Sequence, residues 1–434
     1  MEEVYNQLQC MNGEEIKKIL YQLKKFLSKD VSRLVWQDRG FRMKDEISEI
    51  INSKITKLKE TRRFFHNIPE LGFKEFKTSK EIMSRLEKFG LEVEYGIGKT
   101  GVVGKLVGKY DGPTLMIRAD IDGLPIDENT DLDFSSNNGN MHACGHDGHI
   151  TMALGAAEIL SKLKSNLHGN IVFVFQPAEE IVQGALAMIK DGLFEKYPAD
   201  RVIGTHLWNQ VPCGKVGIND STVFAGADQF RITVQGKGGH GAMPHIAVDP
   251  IITLSQIINM SQTIVSREIA PNEMSVLTFG QVHGGSAPNV IADSVIVEGT
   301  IRSYRNDVQK NIMDSLKRIS KNVADATRAI INFERIHGAP PVINNPRVAN
   351  SVARVSSLIV GEENATSIEP ISVGDDMAEF LNRVPGTYFI LGAGFKDAES
   401  RGIESHHNSK FDYDENCLPI GTEIFVRSAL DYLS

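Results

Sequence analysis

Four runs along the chain are mostly apolar and show no solvent-facing alternation: "TLMIRAD" (114–120), "NIVFVFQPAEE" (170–180), "RVIGTHLW" (201–208) and "TYFILGAG" (387–394). Runs of this kind, rich in β-branched and aromatic residues, predict buried and mostly parallel strands. Helical spacing fills the gaps between them. Ile150, Leu154 and Leu160 mark a helix over about 147–164. Upstream, Thr78 and Glu81 have the spacing of a capping box, Ile82, Leu86 and Phe89 share one face, and Gly90 supplies a stop. The predicted class is α/β, a mostly parallel sheet with helices on both faces.

Residues 227–338 follow a different pattern. "QFRITVQG" and "SVIVEGTIRSY" alternate with period two, as half-buried strands do. Asp249-Pro250 opens a helix with a good N-cap and a proline in the first turn. Val308, Ile312, Leu316, Ile319 and Val323 mark a second helix. A small α+β unit is expected here. Because "PPVINNP" and "TYFILGAG" resume the earlier style, the unit reads as an insertion into a domain made of 59–226 and 339–434. Residues 1–58 form a third part. They contain no proline, and Ile16, Ile19, Leu20, Leu23, Phe26 and Leu27 recur at helical spacing. A further helix is predicted over about 44–65, giving a helical N-terminal extension.

With 434 residues, two domains are the default expectation. A net charge of −8 and the lack of any basic block argue against nucleic acid as a partner. No apolar run approaches the roughly 20 residues of a membrane span. The N-terminus lacks the unbroken apolar core of a secretory signal. The four cysteines, Cys10, Cys144, Cys213 and Cys417, are scattered, which suits a reducing compartment. A cytoplasmic protein is expected, with any working cysteine acting as ligand or nucleophile.

The polar residues that end the apolar runs carry the chemistry. In open α/β sheets, function gathers at the carboxyl ends of the strands. The first run delivers Asp120 and Asp122, the second Gln176, Glu179 and Glu180, and the third His206. "MHACGHDGH" (141–149) sits just ahead of a predicted helix and places Cys144 two residues from His146. A thiolate and an imidazole at that spacing can face one metal. Adjacent carboxylates leaving a strand point apart, so one of Glu179 and Glu180 can bind metal while the other acts as general base. Each signal alone has an ordinary explanation as a helix cap or a buried histidine. Their conjunction at successive strand ends points to a metal site. The late pair His406–His407 in "ESHHNSKFDYDE" (404–415) either closes that site or lies on a solvated loop. Cys144 could instead be a nucleophile, its pKa lowered by the nearby histidines, but the same histidines serve as co-ligands and metal ligation is the stronger reading. "GKGGHG" (236–241) imitates a dinucleotide loop, yet Pro244 breaks the helix that should follow. "GIGKT" (96–100) lacks the first glycine of a phosphate loop, with Val93 in its place.

Six segments in fixed order resemble one family: "RRFFHNIPELGFKEFKTS", "IRADIDGLPIDE", "MHACGHDGHITMALGAA", "VFQPAEE", "GKGGHGAMPHIAVDPI" and "GGSAPNVIADSVIVEGTIR". They are similar to the aminoacylase-type amidohydrolases of the M20 metallopeptidases, the group that includes hippurate and indole-acetyl-amino acid hydrolases. The resemblance runs from about residue 60 to the end. It implies a zinc-peptidase-like catalytic domain with an inserted ferredoxin-like lid, 227–338, that often dimerises. It implies two divalent ions, zinc, manganese or cobalt, on Cys144, His146, Glu180, His206 and His407, with Cys144 bridging. It makes Glu179 the general base and Asp120 the residue that orients the metal, with Arg118 where the wider family has a histidine. His240 and Asn289 match lid positions that hold the scissile carbonyl and the substrate carboxylate, His240 often across a dimer. His406 departs from the usual leucine or other apolar residue. The implied activity is hydrolysis of N-acyl amino acids, such as N-acetyl or N-benzoyl, to a carboxylate and a free amino acid. The alternatives are a dipeptidase or carboxypeptidase of the same family, and a non-catalytic subunit of a heteromer.

Overall fold

The computed structural model describes residues 46–396 and 404–434. The helix expected around residues 16–27 lies outside them, as does Cys10. Residues 46–52 are helical and belong to a first compact unit, Met1–Lys54; the second unit is Ile55–Ser434. The helix expected over about 44–65 is thus interrupted at residues 53–54, and its second part is α1 (Ile55–His66).

Within the second unit the strongest apolar runs form the centre of an eight-stranded sheet. β1 (Tyr110–Asp120) lies between β2 (His168–Gln176) and β3 (Arg201–Pro212), parallel to both. The register sets Asp120 opposite Gln176, so the first two strands end level. α2 (His146–Lys162) follows the loop that holds Cys144. The chain then leaves for a second sheet. Its strands β4 (Gly226–Gln235), β5 (Ser294–Ser303) and β6 (Ile330–Ala339) run antiparallel, with Ser275–Gly284 on the outer edge. α3 (Pro250–Thr263) and α4 (Asn306–Thr327) cover one face of it. Alternation sends Phe230, Ile232, Val234 and Val297 to that face, where they meet Leu254, Ile257, Ile312 and Leu316. Asp249 caps α3 as expected, its carboxylate accepting from the N–H groups of Ile251 and Ile252. The chain returns as β7 (Gly386–Gly394), parallel to β3, and ends in α5 (Cys417–Leu433), which packs against α2.

One expected signal fails. The helix Phe76–Lys88 begins before Thr78, and neither Thr78 nor Glu81 forms a capping box. Glu70 takes that role from outside the helix, accepting from Lys77 N and Thr78 N at 2.9 Å each. A carboxylate beyond the local window satisfied the first-turn donors, which sequence spacing alone does not reveal.

A buried polar cluster ties the start of the second unit to its last loop. The Arg62 guanidinium donates to Asp147 at 3.0 Å, to Asp412 at 3.2 Å and to Glu415 at 3.3 Å. His66 bridges Asp147, at 2.8 Å, and Glu128, at 3.0 Å. Asp147 is also reached by Tyr413 OH at 3.2 Å. Burial opposes the charge on Glu128, but the contact with His66, Thr130 and the Ser136 N–H bring its carboxyl down to about 2. Since Asp147 opens α2 directly beside His146, this cluster fixes the helix that carries a candidate ligand.

Two outcomes follow from this packing. A Cβ added at Gly148 would overlap Leu207 Cδ1 and crowd Tyr413 OH. Gly148→Ala should therefore destabilise by about 1–3 kcal/mol, read as a lower urea midpoint at unchanged slope. Glu128 ionises more easily folded than its ordinary 4.5, so its contribution is complete above that pH and is lost as pH falls toward about 2. Stability curves between pH 5 and 2.5 should fall less steeply in His66→Phe than in the unaltered protein.

Candidate metal centre

The strand ends meet. Cys144 Sγ lies 3.5 Å from His206 Nε2, and His146 Nε2 lies 3.8 Å from Glu180 Oε1. His407 Nε2 is 3.3 Å from Glu180 Oε2. Ligand atoms of Cys144, His146 and His206 fall within 4.8 Å of one another, as do those of Cys144, Glu180 and His407, and of His146, Glu179 and Glu180. The thiol therefore belongs to two neighbouring donor sets, and Glu180 to two.

Local backbone chemistry produces this convergence. Gly145 takes a left-handed φ of 82°, which lets the chain turn from Cys144 into the first residue of α2, His146. After β2, Ala178 adopts φ 51° and Val182 φ 55°, and both Glu179 and Glu180 lie in that turn. Asp122 holds the turn: its two oxygens accept from Glu179 N at 3.1 Å and Glu180 N at 3.0 Å. His407 also has a left-handed φ, 66°, and its N–H donates to Ala143 O at 2.9 Å. That bond fastens the late loop to the Cys144 loop.

Hydrogen bonds decide which nitrogen each histidine presents. His146 Nδ1 donates to Asp122 O at 2.9 Å, and His206 Nδ1 donates to Leu207 O at 2.7 Å. Each ring proton is thereby placed on Nδ1, leaving the Nε2 lone pairs for a cation. His149 Nδ1 donates to Asp120 at 2.5 Å, while its Nε2 accepts from Leu207 N at 2.9 Å. His149 is thus fully used as a spacer between Asp120 and the Leu207 peptide.

The charge of the cluster is unbalanced. Burial lowers the proton affinity of His146, but Asp120, Asp122 and Glu180 overcome this and raise it to about 10, so a cation taking Nε2 displaces a proton. Burial, then Glu180, Glu179 and Asp120, hold the Cys144 thiol well above its ordinary value. Burial and then Asp375 and Glu180 push the Glu179 carboxyl well up. Burial, together with His149 and His406, holds His206 neutral, well below the usual imidazole range. His146 Nε2 and Glu180 Oε1 are buried without a hydrogen-bond partner. Soft and imidazole donors, orphaned lone pairs and excess negative charge together fit a pair of divalent cations.

The guanidinium beside Asp120 is already engaged. Arg118, fully buried, donates to Asp120 at 2.7 Å, Gln176 at 2.8 Å, Asp376 at 3.1 Å and Asp375 at 3.2 Å. Asp375 and Asp376, behind Glu179, were not singled out from the sequence. A carboxylate doublet before "MAEF" looks like a helix cap, and Asp375 does accept from Met377 N at 2.7 Å. The late histidines are separated by their surroundings. His406 stacks on Trp208 and donates Nε2–H to Leu207 O at 2.9 Å, whereas His407 faces Glu180.

A cavity of about 450 Å³ opens on the cluster, lined by Cys144, Glu179, Glu180, His206, His406 and His407. Its far side comes from the uncovered face of the second sheet: Gln229, Thr300, Arg302 and His337. Arg302, a further residue the sequence reading missed, has no acidic partner among the described residues, and burial lowers its proton affinity. His240 and Asn289 do not line this cavity. They are exposed neighbours, with Gly241 N donating to Asn289 O at 2.8 Å and His240 paired with Val290. Among the described residues no helix is long and apolar enough to cross a membrane, and Cys144, Cys213 and Cys417 are unbridged.

Comparison with known proteins supplies the family. Residues 116–431 match the peptidase family M20/M25/M40. Thermostable carboxypeptidase 1 of Saccharolobus solfataricus is 38% identical over 387 residues, 88% of this chain and 95% of that protein. N-acetyl-L-cysteine deacetylase of Bacillus subtilis is 35% identical over 389 residues, covering 89% and 91%. The crystal structure of a dinuclear metal binding M20 peptidase from Bacillus subtilis superposes with a TM-score of 0.75 at 31% identity, covering 88% of this chain and 99% of that one. The chain is a hydrolase and belongs to peptidase family M20/M25/M40.

Proposed function

We propose that the protein hydrolyses N-acyl amino acids using two divalent ions held by Cys144, His146, Glu180, His206 and His407. The observation that carries this reading is the placement of Glu179 beside those donors, on a cavity whose opposite wall offers Arg302 without an acidic partner. The deacetylase and the dinuclear M20 peptidase support it by similarity. When bound, the ions polarise an acyl carbonyl and make water acidic enough to be deprotonated near neutral pH. The thiol among the donors favours a borderline ion over magnesium or calcium, and zinc, cobalt and manganese are the candidates.

The chain's own groups supply the remaining steps. Glu179 accepts a proton from water as the water oxygen bonds to the carbonyl carbon. It returns that proton to the nitrogen as the C–N bond breaks, and the second water proton passes from the new carboxyl to the amine, so that a carboxylate and an ammonium are released. Asp120 and Asp122 hold His149 and His146 in the required tautomers. Arg302 pairs with the carboxylate of the amino acid. Residues 227–338 act as a lid, and His240 and Asn289, exposed at its surface, serve the neighbouring site of a homodimer. A peptide with a free C-terminus would present the same carboxylate, and the carboxypeptidase relative favours that second reading.

Glu179→Gln should lower kcat by roughly 10²–10⁴-fold while elemental analysis finds the metal content unchanged. Full activity in a metal-loaded Glu179→Gln protein removes the assigned base. Arg302→Met should raise KM for carboxylate-bearing substrates by roughly 10–100-fold. A panel of N-acetyl and N-benzoyl amino acids against dipeptides, ranked by kcat/KM, separates the two readings.

A further inference from the structure

We propose that His406 selects among acyl groups, its unpaired ring nitrogen accepting a hydrogen bond from an N–H or O–H carried by the acyl part of the substrate. This deepens the N-acyl amino acid reading and rests on it. His406 lines the cavity together with Trp208, Cys144 and His407. Its ring stacks on Trp208 with centroids 4.5 Å apart at 29°, and Phe411 lies against it at 4.7 Å. Because Leu207 O can only accept, the contact at 2.9 Å places the ring proton on Nε2. Nδ1 then carries the lone pair, and no described residue donates to it.

The cavity assigns this nitrogen to the acyl end. Arg302 sits on the second sheet, opposite Ala227 in the β4–β5 register and close to Gly374. In the proposed reading the carboxylate binds Arg302 and the acyl group lies on the Trp208–His406 wall of the same cavity. An apolar acyl group lying on that wall leaves the Nδ1 lone pair without a donor, whereas a hydroxyl or amine satisfies it. The stack and the Leu207 bond fix the ring beforehand, so no side-chain freedom is lost when the bond forms.

The test uses the metal-loaded enzyme and matched pairs on one amino acid: N-acetyl against N-hydroxyacetyl, and N-phenylacetyl against N-(4-hydroxyphenylacetyl). The unaltered protein should favour the donor-bearing member of at least one pair by about tenfold in kcat/KM, the upper range for one net hydrogen bond. In His406→Leu that ratio should fall to about 1. His406→Phe, which keeps a ring on Trp208, should give the same collapse and covers the case in which the leucine variant does not fold. The ratio is read within each variant, so a general loss of activity does not obscure it. The proposal is overturned if neither pair shows a preference, or if the preference survives both substitutions. Absence of turnover for every N-acyl amino acid, with dipeptides cleaved, overturns the underlying substrate reading and this assignment with it.

Discussion

Excess buried negative charge is the constraint around which this molecule is built. Asp120, Asp122, Glu179, Asp375 and Asp376 all sit in the interior, and Glu180 lies at its margin with the Cys144 thiol close by. An isolated buried carboxylate is too costly to persist unpaired. Arg118 answers for one side of the group, through Asp120, Asp375 and Asp376. The other side, facing the cavity, offers orphaned donors that Arg118 does not reach. The protein thus divides its acids into a half neutralised by its own guanidinium and a half that fits divalent ions.

That division orders the surrounding structure. The ends of β1, β2 and β3 deliver the groups, Asp122 fastens the Glu179–Glu180 turn, and the Leu207 peptide links three histidines. Its N–H goes to His149 and its carbonyl accepts from both His206 and His406. The Arg62 cluster performs the same service at longer range. It joins α1, the first turn of α2 and the loop after His407 through buried ion pairs. Removing one partner of such a cluster leaves uncompensated charge, which is why these contacts hold position even where their net stabilisation is small.

The parts legible in the sequence were those with short-range signatures. The four parallel strands announced themselves as apolar runs, and the residues that end them sit within a few positions of the last apolar residue. Cys144 with His146, and Glu179 with Glu180, could therefore be found by reading along the chain. The family resemblance then added His407, which lies outside the six motifs. What could not be read depends on partners far apart: Arg118 meets Asp376 across 258 positions, and Arg62 meets Asp412 across 350. Asp375 and Asp376 carried only the look of a cap, and Thr78 looked like a cap but was not one. Arg302 was hidden inside a period-two strand, where a charged residue ordinarily faces solvent. The alternation was right, but the solvent face of that sheet turned out to be a cavity wall.

The way the second sheet is inserted has a mechanical corollary. The chain enters through the start of β4 and leaves through the end of β6, and these two points are hydrogen-bonded neighbours, with Ala227 opposite Ala339. Two separate tethers would resist rotation, but a paired seam behaves as a single axle. Were the sheet to turn on this seam, residues near it, such as Ala227 and Ala339, would keep their place whatever the angle. Those farther along the strands would sweep through arcs that grow with their distance from it. Such a jaw would be stationary at its root and widest at its tip.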